Sequence, residues 1–228
     1  MKRCLVIIAI FFASSAIAQN INFTVKGEIS NTDSIRYAYL TTLSQQIPIS
    51  SDKIFMVTPV INGKFEFKGV FDLEGKDYQY ASVFLEERGN ISKEEALSKF
   101  RNLIWVTGLR KNARLIVLED LTMSIDNYGK TKESKITEKG ILTRQSDDVT
   151  EAIKARNRKM IAFVKKYSDS PVAFYQVEQI TSMFDESSKD RMQSIWGSPL
   201  ELFNELSPRL KNSKKGLELK KSIDDKVK

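Results

Sequence analysis

Asn62-Gly63-Lys64-Phe65-Glu66-Phe67-Lys68-Gly69 is the stretch on which the fold turns. Asn-Gly suits the two positive-φ positions of a tight hairpin turn. The residues after it alternate charged and aromatic side chains, which puts both Phe on one face of a strand. Working outward, 53–57 is another β-prone run, and 23–29 alternates apolar and polar residues. Residues 36–40 follow the turn residues at 31–34. Residues 78–85 and 114–118 continue the pattern, and 122–125 closes it. Short strands with frequent turn signals predict an antiparallel sandwich or barrel over residues 19–130. Ser92, with Glu94 and Glu95 behind it, starts a short helix inserted between strands.

Beyond this lies a polar stretch with Gly129 and Gly140, and residues 131–145 are expected to form a linker. The rest, 146–228, reads as helices. Asp148-Val149-Thr150-Glu151 has capping-box spacing, and Ile153, Met160, Ile161, Val164 and Tyr167 follow as one apolar stripe. Ser170-Pro171 and Ser198-Pro199 each place an N-cap before a first-turn proline. Val172, Phe174, Val177, Ile180 and Phe184 fill the buried face of one helix, and Leu202, Phe203 and Leu206 follow the next start. Leu219, Ile223 and Val227 mark a last amphipathic helix. The expected fold class is α+β, an N-terminal antiparallel β-sandwich or barrel followed by a small helical bundle.

The 228 residues contain no His and one Cys, Cys4. That composition excludes Ser-His-Asp and Cys-His catalysis, His-ligated metals and an intrachain disulfide. Lys2 and Arg3, an apolar run over 4–13, and Ala16-Ile17-Ala18 before Gln19 have the pattern of a secretory signal peptide over 1–18. The run is too short to span a bilayer as a helix. Cleavage is expected between Ala18 and Gln19, giving a product in a periplasm or outside the cell and not spanning a membrane. The formal charge is +7, and beyond the leader it is concentrated in the second half. Residues 19–130 carry 14 basic and 14 acidic side chains, and 131–228 carry 20 basic and 15 acidic.

Lys26-Gly-Glu-Ile-Ser-Asn31, Tyr39-Leu40, the stretch 62–69 and residues 118–126 together resemble the small β domain called domain of unknown function 4369. In Bacteroidetes-type secreted proteins that domain commonly precedes a helical segment and then a thioredoxin-like domain. Ser168-Asp-Ser-Pro-Val-Ala-Phe-Tyr175 resembles the family's helix start, and residues 213–223 resemble the link before the thioredoxin fold. The resemblance spans nearly all of 19–228. It would imply a disulfide reductase if a CxxC pair followed. The sequence ends at Lys228 with no Cys after Cys4, so that activity is not carried over.

Other chemistries have weaker support. Ser50-Ser-Asp-Lys53 has S-x-x-K spacing, but S-D-N and K-T-G elements are missing, and Lys130-Thr131 runs into Lys132. The acid pairs Glu86/Glu87, Glu94/Glu95, Glu119/Asp120 and Asp147/Asp148 are candidates for glycoside hydrolysis. Strand neighbours point to opposite faces and helix-start acids serve as caps, so these read first as surface and capping groups. Residues 120–126 hold too few acids for a calcium loop, and no phosphate-binding glycine motif is present. Lys154, Arg156, Arg158, Lys159, Lys165 and Lys166 form a basic cluster that reads as a solvated helix face, with an acidic partner as its functional alternative and nucleic acid disfavoured by export. Tyr78, Tyr80 and Phe84 read as mostly core, whereas Trp105 and Trp196 have no assignment.

These observations point to an exported, non-catalytic binding or interaction module without a cofactor. Its expected partner is an envelope protein or a thioredoxin-like protein. A truncated or split accessory part of a periplasmic thiol-disulfide reductase, acting on a redox partner in trans, is the alternative. An unrecognised hydrolase comes third.

Overall fold

The computed structural model describes residues 20–31, 34–42, 54–101, 112–185 and 187–227. The expected signal peptide with Ala18 and Gln19, the S-x-x-K stretch 50–53 and Trp105 lie outside them.

Among the described residues, eight strands form two four-stranded sheets. They are β1 (Asn20–Ile29), β2 (Tyr37–Thr41), β3 (Phe55–Pro59), β4 (Lys64–Asp72), β5 (Tyr80–Glu86), β6 (Ala113–Val117), β7 (Leu121–Ile125) and β8 (Lys135–Lys139). One sheet has the order β4-β1-β7-β8, the other β3-β2-β5-β6. All neighbours are antiparallel except β1 and β7, which run parallel. The expected α+β class, sheets first and helices after, is what the chain forms.

The period-two pattern does its work in β4. Phe65, Phe67 and Phe71 are buried between the sheets, while Lys64, Glu66, Lys68, Val70 and Asp72 face out. Asn62 and Gly63 both have positive φ, 51° and 75°, as the tight turn requires. β1 alternates in step, burying Phe23, Val25 and Ile29. Two aromatic–glycine pairs lock these strands. Phe65 lies opposite Gly27 and Phe23 opposite Gly69. Each ring occupies the space where the glycine's side chain would be; a Cβ on Gly27 would stand 2.1 Å from the Phe65 ring.

The second sheet buries its inner face and part of its outer one. Ala38, Leu40, Ala81, Val83, Leu85 and Ile116 join the sandwich core. On its outer side Tyr39, Phe84 and Ala113 pack against Ile91, Ala96 and Phe100. The last two belong to the inserted helix α1 (Lys93–Arg101). Ser92 Oγ accepts the Glu95 N–H at 3.1 Å, the cap its position predicts. The Tyr39 hydroxyl donates to Arg88 O at 2.9 Å and accepts from Ile91 N–H at 3.0 Å, pinning the approach to α1. Burial raises the pKa of this phenol.

Residues 131–145 hold the end of a 3-10 turn (Tyr128–Glu133), strand β8 and the start of a helix. Hence β8, whose pairing with β7 makes it an edge of the first sheet, falls within the stretch expected to be linker. Its residues are mostly exposed and charged, so it lacks the apolar alternation that reveals strands.

The helices are α2 (Ile141–Ala155), α3 (Lys159–Lys166), α4 (Pro171–Met183), α5 (Lys189–Trp196), α6 (Pro199–Asn204), α7 (Pro208–Lys211) and α8 (Lys214–Val227). Two sequence expectations fail at α2. It begins at Ile141, so Asp148 lies inside the helix and is no cap. The stripe from Ile153 to Tyr167 is also broken. Arg156, Asn157 and Arg158 all have positive φ, which ends α2 and starts α3, and Ile153 is left exposed. The starts at α4 and α6 are as expected. Ser170 accepts the Val172 N–H, and Ser198 and Glu201 form a reciprocal capping box. Ser207-Pro208 repeats the device at α7. Met160, Val164, Phe174, Val177, Ile180, Phe184, Leu202, Phe203, Leu206, Leu219 and Ile223 form the bundle core, with Trp196 partly buried against it. No helix among the described residues is long and apolar enough to cross a membrane.

Candidate functional site

The sandwich and bundle meet along the edge strand β6 and the face of α2 that carries Thr143, Ser146 and Asp147. These positions are three and four apart and so share a face. Thr143 Oγ1 accepts the outward N–H of Val117 at 3.0 Å and donates to Glu119 Oε1 at 2.8 Å. The Glu119 carboxylate also accepts the N–H groups of Thr143 at 2.7 Å and Leu142 at 3.2 Å. Gly140 precedes the helix in a left-handed conformation and offers no side chain. Glu119 therefore caps α2 from the β6–β7 turn, and its negative charge complements the helix dipole. One turn along, Arg114, 8% exposed, makes a two-pronged ion pair with Asp147 at 2.8 and 2.6 Å. Tyr80 OH and Ser146 Oγ are 3.2 Å apart.

Beside this seam lies an aromatic rim. Tyr78 stands edge-on to Tyr80 (centroids 5.2 Å) and to Tyr175 of α4 (6.1 Å). Tyr175 is 40% exposed. The Tyr78 hydroxyl is buried without a hydrogen-bond partner, and burial pushes its pKa up. Asp77 and Lys215 close the rim with a 2.7 Å ion pair. Glu178 of α4 is half-buried. Burial raises its pKa; Lys215 opposes that rise, and Asp77 adds to it. The arrangement offers flat apolar surface, phenol groups and a half-buried carboxyl. These are recognition elements rather than a nucleophile with its base.

The acid pairs singled out in the sequence are largely engaged elsewhere. Glu86 binds Lys99, and Glu95 binds Arg88. Glu119 caps α2, and Asp120 pairs with Lys139 at 3.0 Å. Asp147 holds Arg114. Asp148 accepts from the Tyr167 hydroxyl at 2.6 Å and from Lys166 at 2.9 Å, which hold its pKa below the usual range. The basic cluster is exposed, and three of its members form ion pairs: Lys154 with Glu151, Arg158 with Glu201 and Lys166 with Asp148. Among the described residues no three metal-ligating side chains converge.

Arg114, Thr143, Tyr175 and Glu178 escaped the sequence reading. Each sits in an ordinary helix or strand pattern, and its partners across the seam or rim come from 24 or more residues away. Of the seam and its rim, the sequence offers Tyr78 and Tyr80 as core and Glu119 and Asp147 as surface or capping acids. No protein-family model, curated protein or solved structure matches this chain.

Proposed function

We propose that this protein is an exported, non-catalytic binding module, and that the Tyr78–Tyr175–Glu178 rim is where it takes its partner. The observation that carries the reading is the exposed Tyr175 ring set against Tyr78, whose hydroxyl is left without a partner at the sandwich–bundle seam. Aromatic side chains held rigidly on helix and strand are the usual anchors of protein interfaces, because they offer large contact area for little lost entropy. The partner is an envelope protein with an apolar or aromatic contact for the exposed Tyr175 ring. Cross-linking in envelope extracts tests this. Wild type should capture a reproducible partner and Tyr175→Ala should lose most of it; equal capture by both would overturn the assignment of the rim. Mass spectrometry of the exported product should find Gln19 at its N-terminus, which would support the signal peptide.

A second reading has the order of the fold in its favour. A sandwich followed by helices is the arrangement that the family-like motifs place ahead of thioredoxin-like domains. On this reading the partner is such a domain acting in trans. Adding the purified protein to a periplasmic thioredoxin assay should then change rate or substrate choice, and an unchanged assay would reject it.

A further inference from the structure

The two sheets have four edges, and three of them are blunted. β3 is five residues long and ends in Pro59. The β6 edge is closed by α2, where Thr143 takes the Val117 N–H. Opposite β8, the register with β7 shifts between Thr122 and Met123. β4 differs. It runs nine residues in unbroken register with β1, has no proline or bulge, and has no strand on its other side among the described residues.

The bonds at its start show which groups it exposes. Ile29 N–H donates to Gly63 O at 2.7 Å, so the odd-numbered residues of β4 bond to β1. Lys64 confirms the parity by exchanging both of its backbone bonds with Ile61, away from β1. Glu66, Lys68, Val70 and Asp72 therefore turn their N–H and C=O groups to the open edge. Val70 is 65% exposed, an apolar residue among charged ones on that face.

We infer that the open edge of β4 pairs antiparallel with β4 of a second copy of this chain, about a two-fold axis at Val70. In that register Val70 meets Val70, and Lys68 of each copy faces Asp72 of the other. The hydrogen-bonding residues align, an exposed apolar pair is covered, and two cross-strand ion pairs flank it. Slipping one copy by two residues sets Glu66 against Asp72. Slipping it by four sets Lys68 against Lys68. Of these three registers, charge favours the one that pairs Val70 with itself. The product is a continuous eight-stranded sheet. The inference does not rest on the proposed rim, which lies at the seam with the bundle.

Sedimentation of the purified chain at about 100 μM, where so small a contact should be populated, tests it. Wild type should sediment as a dimer. Val70→Lys should sediment as a monomer with unchanged circular dichroism and melting, since Val70 is already exposed in one copy. Lys68→Glu and Asp72→Lys should each be monomeric alone and dimeric when mixed, because the mixture restores opposite charges at both contacts. A monomeric wild type, a dimeric Val70→Lys, or a mixture that stays monomeric would overturn the inference.

Discussion

At Gly27 the missing side chain is part of the core. The Phe65 ring fills its place, and Phe23 does the same over Gly69. Gly27→Ala should cost about 2–3 kcal/mol in urea unfolding, because the added methyl overpacks the pair. Combining it with Phe65→Leu should cost less than the sum of the two single changes, since both act on one contact. Strictly additive costs would show that the ring and glycine do not act as a unit. Arg156 presents the opposite case. Its φ of 53° and ψ of −132° suit glycine rather than arginine. Arg156→Gly should stabilise by about 1 kcal/mol, read as a higher urea midpoint with unchanged slope. A lower midpoint would mean that the arginine side chain contributes more than its backbone strain costs.

Among the elements, α2 depends most on a distant residue. Its first turn has no cap of its own, and Glu119 supplies one across the seam. Glu119→Ala should cost about 1–2 kcal/mol, as loss of a cap does. Glu119→Gln should fall between, because one acceptor oxygen remains. Equal costs for the two would assign the effect to packing instead of capping. Three other helices carry a cap of their own. Ser170, Ser198 and Ser207 cap α4, α6 and α7 from within the chain's own sequence, each followed by proline.

Over the whole molecule, charge governs the response to acid. The pKa values of Glu66, Glu94, Asp120, Asp148, Asp169, Asp185 and Glu201 are all lowered, chiefly by hydrogen bonds. A carboxyl lowered in the folded state contributes stability above its unfolded pKa and loses it as pH falls through the folded one. Glu178, raised by burial, has the opposite sign and is outnumbered. With no His in the chain, no unperturbed side chain titrates near neutrality. The urea midpoint should therefore be flat from about pH 6 to 9 and fall steeply below about pH 4. A maximum on the acid side would contradict these carboxylate assignments.

Much of this architecture follows from local pattern. The alternation of 64–69 about Asn62-Gly63 determines β4 and its turn, because a strand's side-chain period is two and only a tight turn favours that dipeptide. Serine–proline steps determine three helix starts, because the cap and the fixed φ act within one turn. Local pattern does not reach β8, whose exposed charged residues carry no period, or the break at Arg156, where no glycine or proline marks it. Nor does it reach the seam. Glu119 becomes a cap and Arg114 a buried cation only when β6 and α2 meet. Tyr78 and Tyr175, 97 positions apart, form a rim only through the same packing. Hydrogen bonds and ring contacts act over a few ångströms of space whatever the separation along the chain. The sequence by itself therefore determined the elements and their faces, and the tertiary structure decided which polar and aromatic groups would meet.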